Sequence, residues 1–324
     1  MRRNTILQNE NLTDLRDIFL DEVISIARED KDFIFLTIDM GANFLSKLKE
    51  EFPERCLNIG ISEQNAILMA AGLAACGKKV FVYGITSFTV LRSIEQIKID
   101  ICHMDYPIVI AGMGTGFTYG TDGPTHYAVD DISIIGSLPE IQIFCPNDRY
   151  STRALTRKAY ESGRPTYLRL EKGTRKDIYA PESTFDNNMT LLKSGEHLIV
   201  ATGIMVERAL EIAEELGKEG VSVGVLDIYK LKPLDWLSLD KYTENIKSIF
   251  TIEEHVLHGG LGGIISTYLC DKKLFIPRRQ FGVPRKILLD CRNREKMLEL
   301  CGLDKQTLVY KIREEILKIN VLDR

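Results

Sequence analysis

Short apolar runs that alternate with helical patterns along the first half of the chain constrain its fold more than any other feature. Six runs rich in β-branched and aromatic residues predict strands at 33–38, 55–59, 79–85, 107–113, 141–146 and 166–170. Helical patterns separate them, near residues 13–29, 43–51, 63–76, 88–104 and 148–162. Strands that are apolar on both faces and separated by helices indicate a parallel sheet covered by crossover helices.

A polar segment at 173–192 interrupts this alternation, and its lack of any period predicts a linker. The alternation then restarts, with predicted strands at 197–202, 221–228, 248–254 and 286–290 and with helical patterns that end near 218 and cover 259–270. We therefore predict an α/β protein of two consecutive three-layer domains, residues 1–172 and 193–324, each with a mostly parallel sheet flanked by helices.

Composition excludes several classes of protein. A net charge of -4 and a pI near 5.9 argue against nucleic-acid binding, which favours a basic surface. No apolar run approaches the roughly 18 residues of a membrane helix, and the N-terminus lacks the apolar core of a signal peptide. The seven cysteines never form C-x-x-C, which is typical of reduced thiols in a cytoplasmic protein and gives no metal site.

Three features fall at the carboxyl ends of predicted strands, where open α/β sheets bind ligands. Asp39 follows the run at 33–38, Glu63 follows the run at 55–59, and a glycine-rich loop follows the run at 107–113. Their shared position indicates a site at that edge of the first sheet.

Glu63 stands where a buried strand leads into a buried helix. One interpretation is a partly exposed carboxylate in the first helical turn, stabilised by the helix dipole. The other is a carboxyl held among apolar side chains, where it can share a proton with a ligand nitrogen. Gly72 and the alanines around it favour close packing of this helix and hence the buried carboxyl.

The glycine-rich loop at 112–126 fits neither nucleotide-binding pattern, because it has no G-x-G-x-x-G and no Gly-Lys-Ser/Thr. It does place Asp122 and His126 around a Gly-Pro turn, where both could act as polar anchors or proton carriers in a cleft. Phe88, just after the strand at 79–85, is either a core aromatic or a stacking surface for a planar ring.

Three motifs occur in the order G-I-S-E-Q, D-G-P-T-H and P-N-D, at 60–64, 122–126 and 146–148. In this combination the chain resembles the thiamine-diphosphate enzymes of the transketolase type. The likeness runs from about residue 10 onward and matches a pyrimidine-binding domain followed by the transketolase C-terminal domain. It implies an enzyme that transfers a two-carbon ketol unit from a ketose donor to an aldose acceptor.

The resemblance also implies the residues that bind thiamine diphosphate. By position, Glu63 is the glutamate that hydrogen-bonds the aminopyrimidine N1′ and promotes the tautomer that activates the cofactor, which makes it catalytic. Phe88 would stack on the aminopyrimidine. Asp39 and Met40 match a step of the family near the cofactor.

Asp122 and His126 match positions that contact substrate hydroxyl and carbonyl oxygens, and His126 is the second expected catalytic residue. Members that use phosphorylated sugars have a histidine where Gly114 stands and a phosphate-binding arginine where Lys172 stands. Lysine attracts phosphate as a point charge without the bidentate fork of arginine. Substrates are therefore sugars or sugar phosphates, and the resemblance leaves their identity open.

The family's diphosphate domain holds Mg²⁺ through G-D-G and a later N-N, and no G-D-G occurs in this sequence. We therefore expect a split enzyme in which a separate N-terminal, diphosphate-binding subunit supplies that half and the Mg²⁺, in an α2β2 assembly. Neither nucleic acid nor membrane is an expected partner.

The alternatives are a 2-oxo-acid dehydrogenase β subunit, which lacks the D-G-P-T-H loop, an enzyme like deoxyxylulose-phosphate synthase, and a non-catalytic regulatory subunit. His255 and His258 could form a metal pair with the glutamates before them. The resemblance instead places this segment at the edge of the second domain's sheet and favours an interdomain role.

Overall fold

The computed structural model describes residues 14–322, which form two compact units. The first unit combines the chain up to Gly114 with Leu138–Thr184, and the second combines Thr115–Ser137 with the chain from Phe185 onward. The glycine-rich loop from Thr115 onward therefore belongs to the second unit, although it interrupts the sequence of the first.

The strands, in chain order, are β1 (Phe33–Thr37), β2 (Cys56–Asn58), β3 (Lys79–Ile85), β4 (Ile108–Met113), β5 (Gln142–Phe144), β6 (Thr166–Leu170), β7 (Met189–Lys193), β8 (His197–Ala201), β9 (Val223–Ile228), β10 (Lys230–Lys232), β11 (Ser248–Val256) and β12 (Arg278–Val283). The first unit orders its strands β5-β6-β4-β3-β1-β2, and neighbouring strands are parallel throughout this series. The six strands predicted before residue 172 and their parallel arrangement are confirmed.

The helices are α1 (Leu15–Glu29), α2 (Asn43–Glu51), α3 (Glu63–Ala75), α4 (Thr86–Leu91), α5 (Ile94–Gln96), α6 (Asp131–Gly136), α7 (Arg149–Glu161), α8 (Met205–Lys218), α9 (Trp236–Thr243), α10 (Leu261–Asp271), α11 (Arg294–Cys301) and α12 (Lys305–Leu322). The single helix predicted near 88–104 is broken: α4 ends at Leu91, and α5 continues into a π-helical turn at Ile97–Cys102. Between residues 14 and 322, no helix combines the length and the apolar character that a membrane crossing requires.

The P-N-D motif fixes the start of α7. The Asp148 side chain accepts a hydrogen bond from the Ser151 amide at 2.8 Å, and the Ser151 hydroxyl oxygen accepts from the Asp148 amide, which completes a capping box. The second carboxylate oxygen of Asp148 accepts from the amides of Ile178 and Tyr179 at 2.9 and 2.8 Å. This motif is therefore structural and holds the chain that follows β6.

The second unit has a sheet in the order β12-β11-β8-β9-β7, in which only the β7–β9 pair is antiparallel. A mostly parallel sheet is thus confirmed here as well. Strand β7 begins at Met189, inside the segment predicted as a linker, because the polar Asn-rich stretch ends one residue earlier.

Two expectations for this sheet are wrong. The strand predicted at 286–290 is absent, and the edge strand is Arg278–Val283. Its two arginines are exposed, so this segment lacks the apolar pattern by which the other strands were predicted. Ile287 and Leu289 are instead 81% and 76% exposed in the loop after Pro284. The segment with His255 belongs to β11, which lies between β12 and β8 rather than at the edge.

Candidate functional site

Glu63 is the first residue of α3 and follows the carboxyl end of β2 through a tight turn. Gly60 supplies the left-handed conformation of that turn, with φ of +73°. Glu63 is buried, with 6% of the whole residue exposed, and the helix behind it packs Ala66, Ile67 and Ala70 into the core. A carboxylate this buried needs a hydrogen-bonding partner. The predicted burial of Glu63 is therefore confirmed, and its sharing of a proton with a ligand stays a prediction.

Arg92 is that partner, and it also contacts Phe88. Its Nη1 donates to the Glu63 Oε1 at 3.0 Å, and its guanidinium carbon lies 4.3 Å from the centre of the Phe88 ring. Phe88 is half-buried on α4. The structure thus brings Glu63 and Phe88 to one place through a residue that the sequence interpretation missed. Its signal was the spacing: Arg92 follows Phe88 by one helical turn.

A pocket of about 400 Å³ opens beside this group. It is lined by Ile61, Ser62, Glu63, Gln64, Asn65 and Arg92. The start of α3 therefore presents its buried carboxylate to a concave surface rather than to the core.

Two glycines hold α4 close to the sheet. A Cβ atom on Gly112 would lie 2.8 Å from the Thr86 hydroxyl, and one on Gly84 would lie 2.4 Å from the Thr89 hydroxyl. Both threonines are 0% exposed. Close packing of α4 on β3 and β4 fixes the helix that carries Phe88.

Asp39 lies in the turn after β1 in the left-handed region, with φ of +51°. Its amide donates to the Asn58 side-chain oxygen at 3.1 Å, and the Asn58 amide group donates back to the Asp39 carboxylate at 3.1 Å. The Gly60 amide donates to the same Asn58 oxygen at 2.9 Å. Asp39 and its neighbour Met40 thus lie beside the turn that leads to Glu63, and their contact with a cofactor stays a prediction.

Gly114 and Lys172 follow the carboxyl ends of two neighbouring strands. The Gly114 amide donates to the Leu170 carbonyl at 2.9 Å, with φ of +81° at Gly114. Lys172 is half-buried two residues after β6 ends. The structure places both positions at the same edge of the sheet as Asp39 and Glu63, where parallel strands end together.

Asp122 and His126 lie on the glycine-rich loop of the second unit. The His126 amide donates to the Gly123 carbonyl at 3.0 Å, which closes the Gly-Pro turn, and Gly123 has φ of +86°. The Nδ1 atom of His126 lies 3.0 Å from the Thr125 hydroxyl, and Asp122 is exposed. The tight turn holds these two side chains on one short segment.

Glu254, on β11, anchors the start of this loop. One carboxylate oxygen accepts from the Phe117 amide at 2.6 Å, and the other accepts from the Arg294 Nε at 3.0 Å. Glycine is required at position 116, because its φ is +57° and a Cβ atom would lie 2.5 Å from the Glu254 carboxyl carbon. The buried carboxylate thus holds the loop from beneath.

Tyr127 anchors the other side of the loop. Its hydroxyl donates to the Asp290 carbonyl, and its ring packs edge-on against Phe117 at 5.1 Å between centroids. Burial, followed by the nearby Cys291 and Asp290, raises the pKa of this hydroxyl. Tyr127 is therefore a neutral hydrogen-bond donor that ties the loop to the segment before α11.

His255 caps a helix through hydrogen bonds to backbone groups. Its Nε2 accepts from the amides of Ile132 and Ser133 at 3.1 and 3.4 Å, so that Nδ1 carries the proton and donates to the Val256 carbonyl at 2.7 Å. His258 is exposed. Within residues 14–322, no three His, Cys, Asp or Glu side chains are grouped as a metal site requires. Both nitrogens of His255 are used by the backbone around the loop, a role that the sequence did not indicate.

Comparison with known proteins extends these observations. Residues 12–176 match the model of the transketolase pyrimidine binding domain, and residues 189–308 match that of the transketolase C-terminal domain. The chain is 33% identical over 312 residues to one of the subunits of the apulose-4-phosphate transketolase of Phocaeicola vulgatus, a match that covers 95% of this chain and 99% of that protein.

A second relative and a solved structure also match most of this chain. The chain is 33% identical over 307 residues to the 1-deoxy-D-xylulose-5-phosphate synthase of Nocardia farcinica, covering 91% of this chain but only 48% of that enzyme. A solved structure described as a split gene transketolase, inactive beta4 tetramer, matches with a TM-score of 0.86 at 30% identity, covering 94% of this chain and 99% of that chain.

Proposed function

The chain belongs to the transketolase family, and on that premise we propose that it is the β-type subunit of a split transketolase. It transfers a two-carbon ketol unit from a ketose to an aldose through thiamine diphosphate, in the cytoplasm. A separate diphosphate-binding subunit, in an α2β2 assembly, holds the diphosphate and its Mg²⁺. Bound thiamine diphosphate would supply a nucleophilic thiazolium carbon for the sugar carbonyl.

The observation that carries this proposal is the pairing of Glu63 with a planar cation over Phe88. The Arg92 guanidinium already makes one N–H bond to the Glu63 carboxylate and one face contact with the Phe88 ring. An aminopyrimidine needs contacts with the same two groups, a carboxyl that shares a proton with its ring nitrogen and a flat apolar surface. The residues present therefore fit this part of the cofactor.

Five of the predicted site residues have a specific task in this proposal. Glu63 holds the proton shared with the pyrimidine nitrogen, and its buried position keeps water away from that proton. Phe88 orients the ring by stacking. Asp122 and His126 bind the sugar's hydroxyl and carbonyl oxygens, and His126 moves a proton at the carbonyl oxygen. Lys172 attracts a substrate phosphate as a point charge.

The need for a second subunit is supported by coverage. This chain spans nearly the whole of the P. vulgatus relative, which is named as one subunit of a transketolase, and less than half of the N. farcinica synthase. The similar split transketolase was solved as an inactive tetramer of β chains. Both facts favour a split transketolase over a synthase of that greater length.

A reconstitution experiment tests the proposal. The chain is mixed with its diphosphate-binding partner, thiamine diphosphate and Mg²⁺, and ketol transfer between sugars is measured. We expect activity only from the mixture, and we expect Glu63→Gln to reduce it at least about a hundredfold, because the amide cannot share a proton with the pyrimidine. Activity of this chain alone would contradict the split site, and full activity of Glu63→Gln would contradict the role of that residue.

A further inference from the structure

Arg92 combines two contacts that the proposed cofactor would also make. It lies one turn beyond Phe88 as the C-cap of α4, so both side chains project from the same side of that short helix. The guanidinium lies 4.3 Å from the ring centroid, and its Nη1 lies 3.0 Å from the Glu63 Oε1. Together, these two contacts favour a flat group that donates N–H bonds in its own plane and stacks on an aromatic ring.

The two partners of this ion pair differ in exposure. The Glu63 side chain is 7% exposed, whereas that of Arg92 is 49% exposed. A half-exposed cation on a long side chain is held weakly, because water competes for it and because its rotamers must be fixed. Arg92 can therefore leave by side-chain rotation alone, while Glu63 stays where α3 places it.

From this geometry, and on the basis of the proposed function, we propose that Arg92 is a positioning residue that occupies the aminopyrimidine place in the cofactor-free subunit. It keeps the buried carboxylate paired until thiamine diphosphate displaces it. Displacement lowers the observed affinity, since the cofactor binds only the fraction of subunits from which Arg92 has withdrawn.

The variant Arg92→Met removes the competing cation and keeps a chain of similar length. If the Arg92-occupied state makes up about 70–90% of the cofactor-free subunit, the apparent Kd should fall about three- to tenfold in this variant. Arg92→Lys keeps the charge without the planar fork, and we expect a smaller decrease.

Arg55 provides the matched control. Its guanidinium carbon also lies 4.3 Å from a phenylalanine ring, that of Phe52, and it donates to the Asp30 carbonyl at 2.8 Å. It does not share the Glu63 site, so Arg55→Met should leave the Kd unchanged. Comparison of the two variants separates a general loss of an arginine–ring contact from release of Glu63.

The measurement is calorimetric titration of thiamine diphosphate with Mg²⁺ into the cofactor-free complex of this chain and its partner. We expect tighter binding for Arg92→Met, and we expect the gain to shrink in a Glu63→Gln background, because the ion pair no longer exists there. Unchanged or weaker binding for Arg92→Met, with normal binding by the unaltered complex, would overturn the role of Arg92 alone. Absence of binding by the unaltered complex would instead overturn the proposed function. If Arg92→Met does not assemble, Arg92→Lys decides by the same criteria.

Discussion

Glu254 and Glu63 are two buried carboxylates that the fold treats differently. Glu254 is 2% exposed in its side chain and faces Arg294, which is itself only 13% exposed. Glu63 faces a half-exposed arginine. A buried partner makes the first pair a fixed part of the loop anchor, whereas an exposed partner leaves the second carboxylate available to a ligand.

Removal of the buried cation should therefore be costly. Arg294→Met leaves the Glu254 carboxylate buried without its cation, and we expect a loss of about 3–5 kcal/mol in the free energy of unfolding. Urea denaturation followed by Trp236 fluorescence measures it, because Trp236 is the single tryptophan and lies in the second unit.

Arg208→Met is the control for this prediction. Arg208 pairs at 2.8 Å with Glu295, which is 62% exposed, and such a pair contributes about 0–1 kcal/mol. Equal losses for the two variants would show that burial of Glu254 does not set the strength of the anchor.

The sequence identified Glu63 and Phe88 as candidate site residues because each follows a local feature. Glu63 stands at the start of a helix, and Phe88 follows the end of a strand. The sequence did not identify Arg92, because the role of that residue depends on a contact with Glu63, which lies 29 positions earlier in the chain. It also missed the anchoring roles of Glu254 and His255, since these depend on contacts with residues more than a hundred positions away.

The close packing of α4 on β3 and β4 predicts that a larger residue at Gly112 destabilises the first unit. Gly112→Ala would place a Cβ atom 2.8 Å from both the Thr86 hydroxyl and the Tyr167 ring, and we expect a loss of about 1–3 kcal/mol. Hydrogen exchange of the β3 and β4 amides measures the effect in this unit.

Gly72→Ala, in α3, is the control. Its Cβ atom would meet nothing within 4 Å, so we expect this variant to stabilise the helix by about 0.5–1 kcal/mol. The hypothesis of close packing fails if both alanines stabilise.

The β8–β11 pair gives a pH dependence to the second unit. His197 is 3% exposed, pairs with Ser248 across the two strands, and has its Nδ1 2.8 Å from the Ser248 hydroxyl. Burial, assisted by Lys247 and opposed by Glu196, lowers the pKa of His197 below its usual 6.5. The unfolded chain therefore binds the proton more readily, and acid favours unfolding.

The stability from neutral His197 is present above pH 6.5 and is lost as the pH falls through its lower folded pKa. We expect His197→Asn to weaken the decline in unfolding free energy between about pH 7.5 and 5.5, measured by Trp236 fluorescence in urea. The other histidines remain in both proteins, so an identical decline would exclude His197 as its source.

At the scale of the elements, apolar runs such as FIFLT and KVFVYGI identified their strands because both faces are buried. Strand β12 was not predicted because its first residues are exposed arginines. The apolar run that contains Ile287 and Leu289 predicted a strand at 286–290 instead. Pattern alone cannot separate an edge strand from a loop when the side chains on the open side are charged.

At the scale of the whole molecule, the sequence predicted the family and the two α/β sheets, and both are confirmed, whereas the dependence on a partner stays a prediction. The order of motifs along the chain cannot reveal that Thr115–Ser137 joins the second unit. That membership depends on Glu254, His255 and the Asp290 carbonyl, each distant in sequence from the loop that it holds. Asp122 and His126, which are expected to bind the sugar, therefore belong to the second unit, whereas Glu63, Phe88 and Lys172 belong to the first.

This interrupted unit sets an order of events on the ribosome. Phe117 and Glu254 are separated by 137 residues, so at about 5–20 residues per second some 7–30 s pass between their synthesis. During that interval the loop with its later-buried Phe117 and Tyr127 has been made, but the strand that anchors it has not. The nascent chain thus offers chaperones and proteases two aromatic side chains that the finished protein buries, and the loop reaches its final form only after most of the second sheet has been translated.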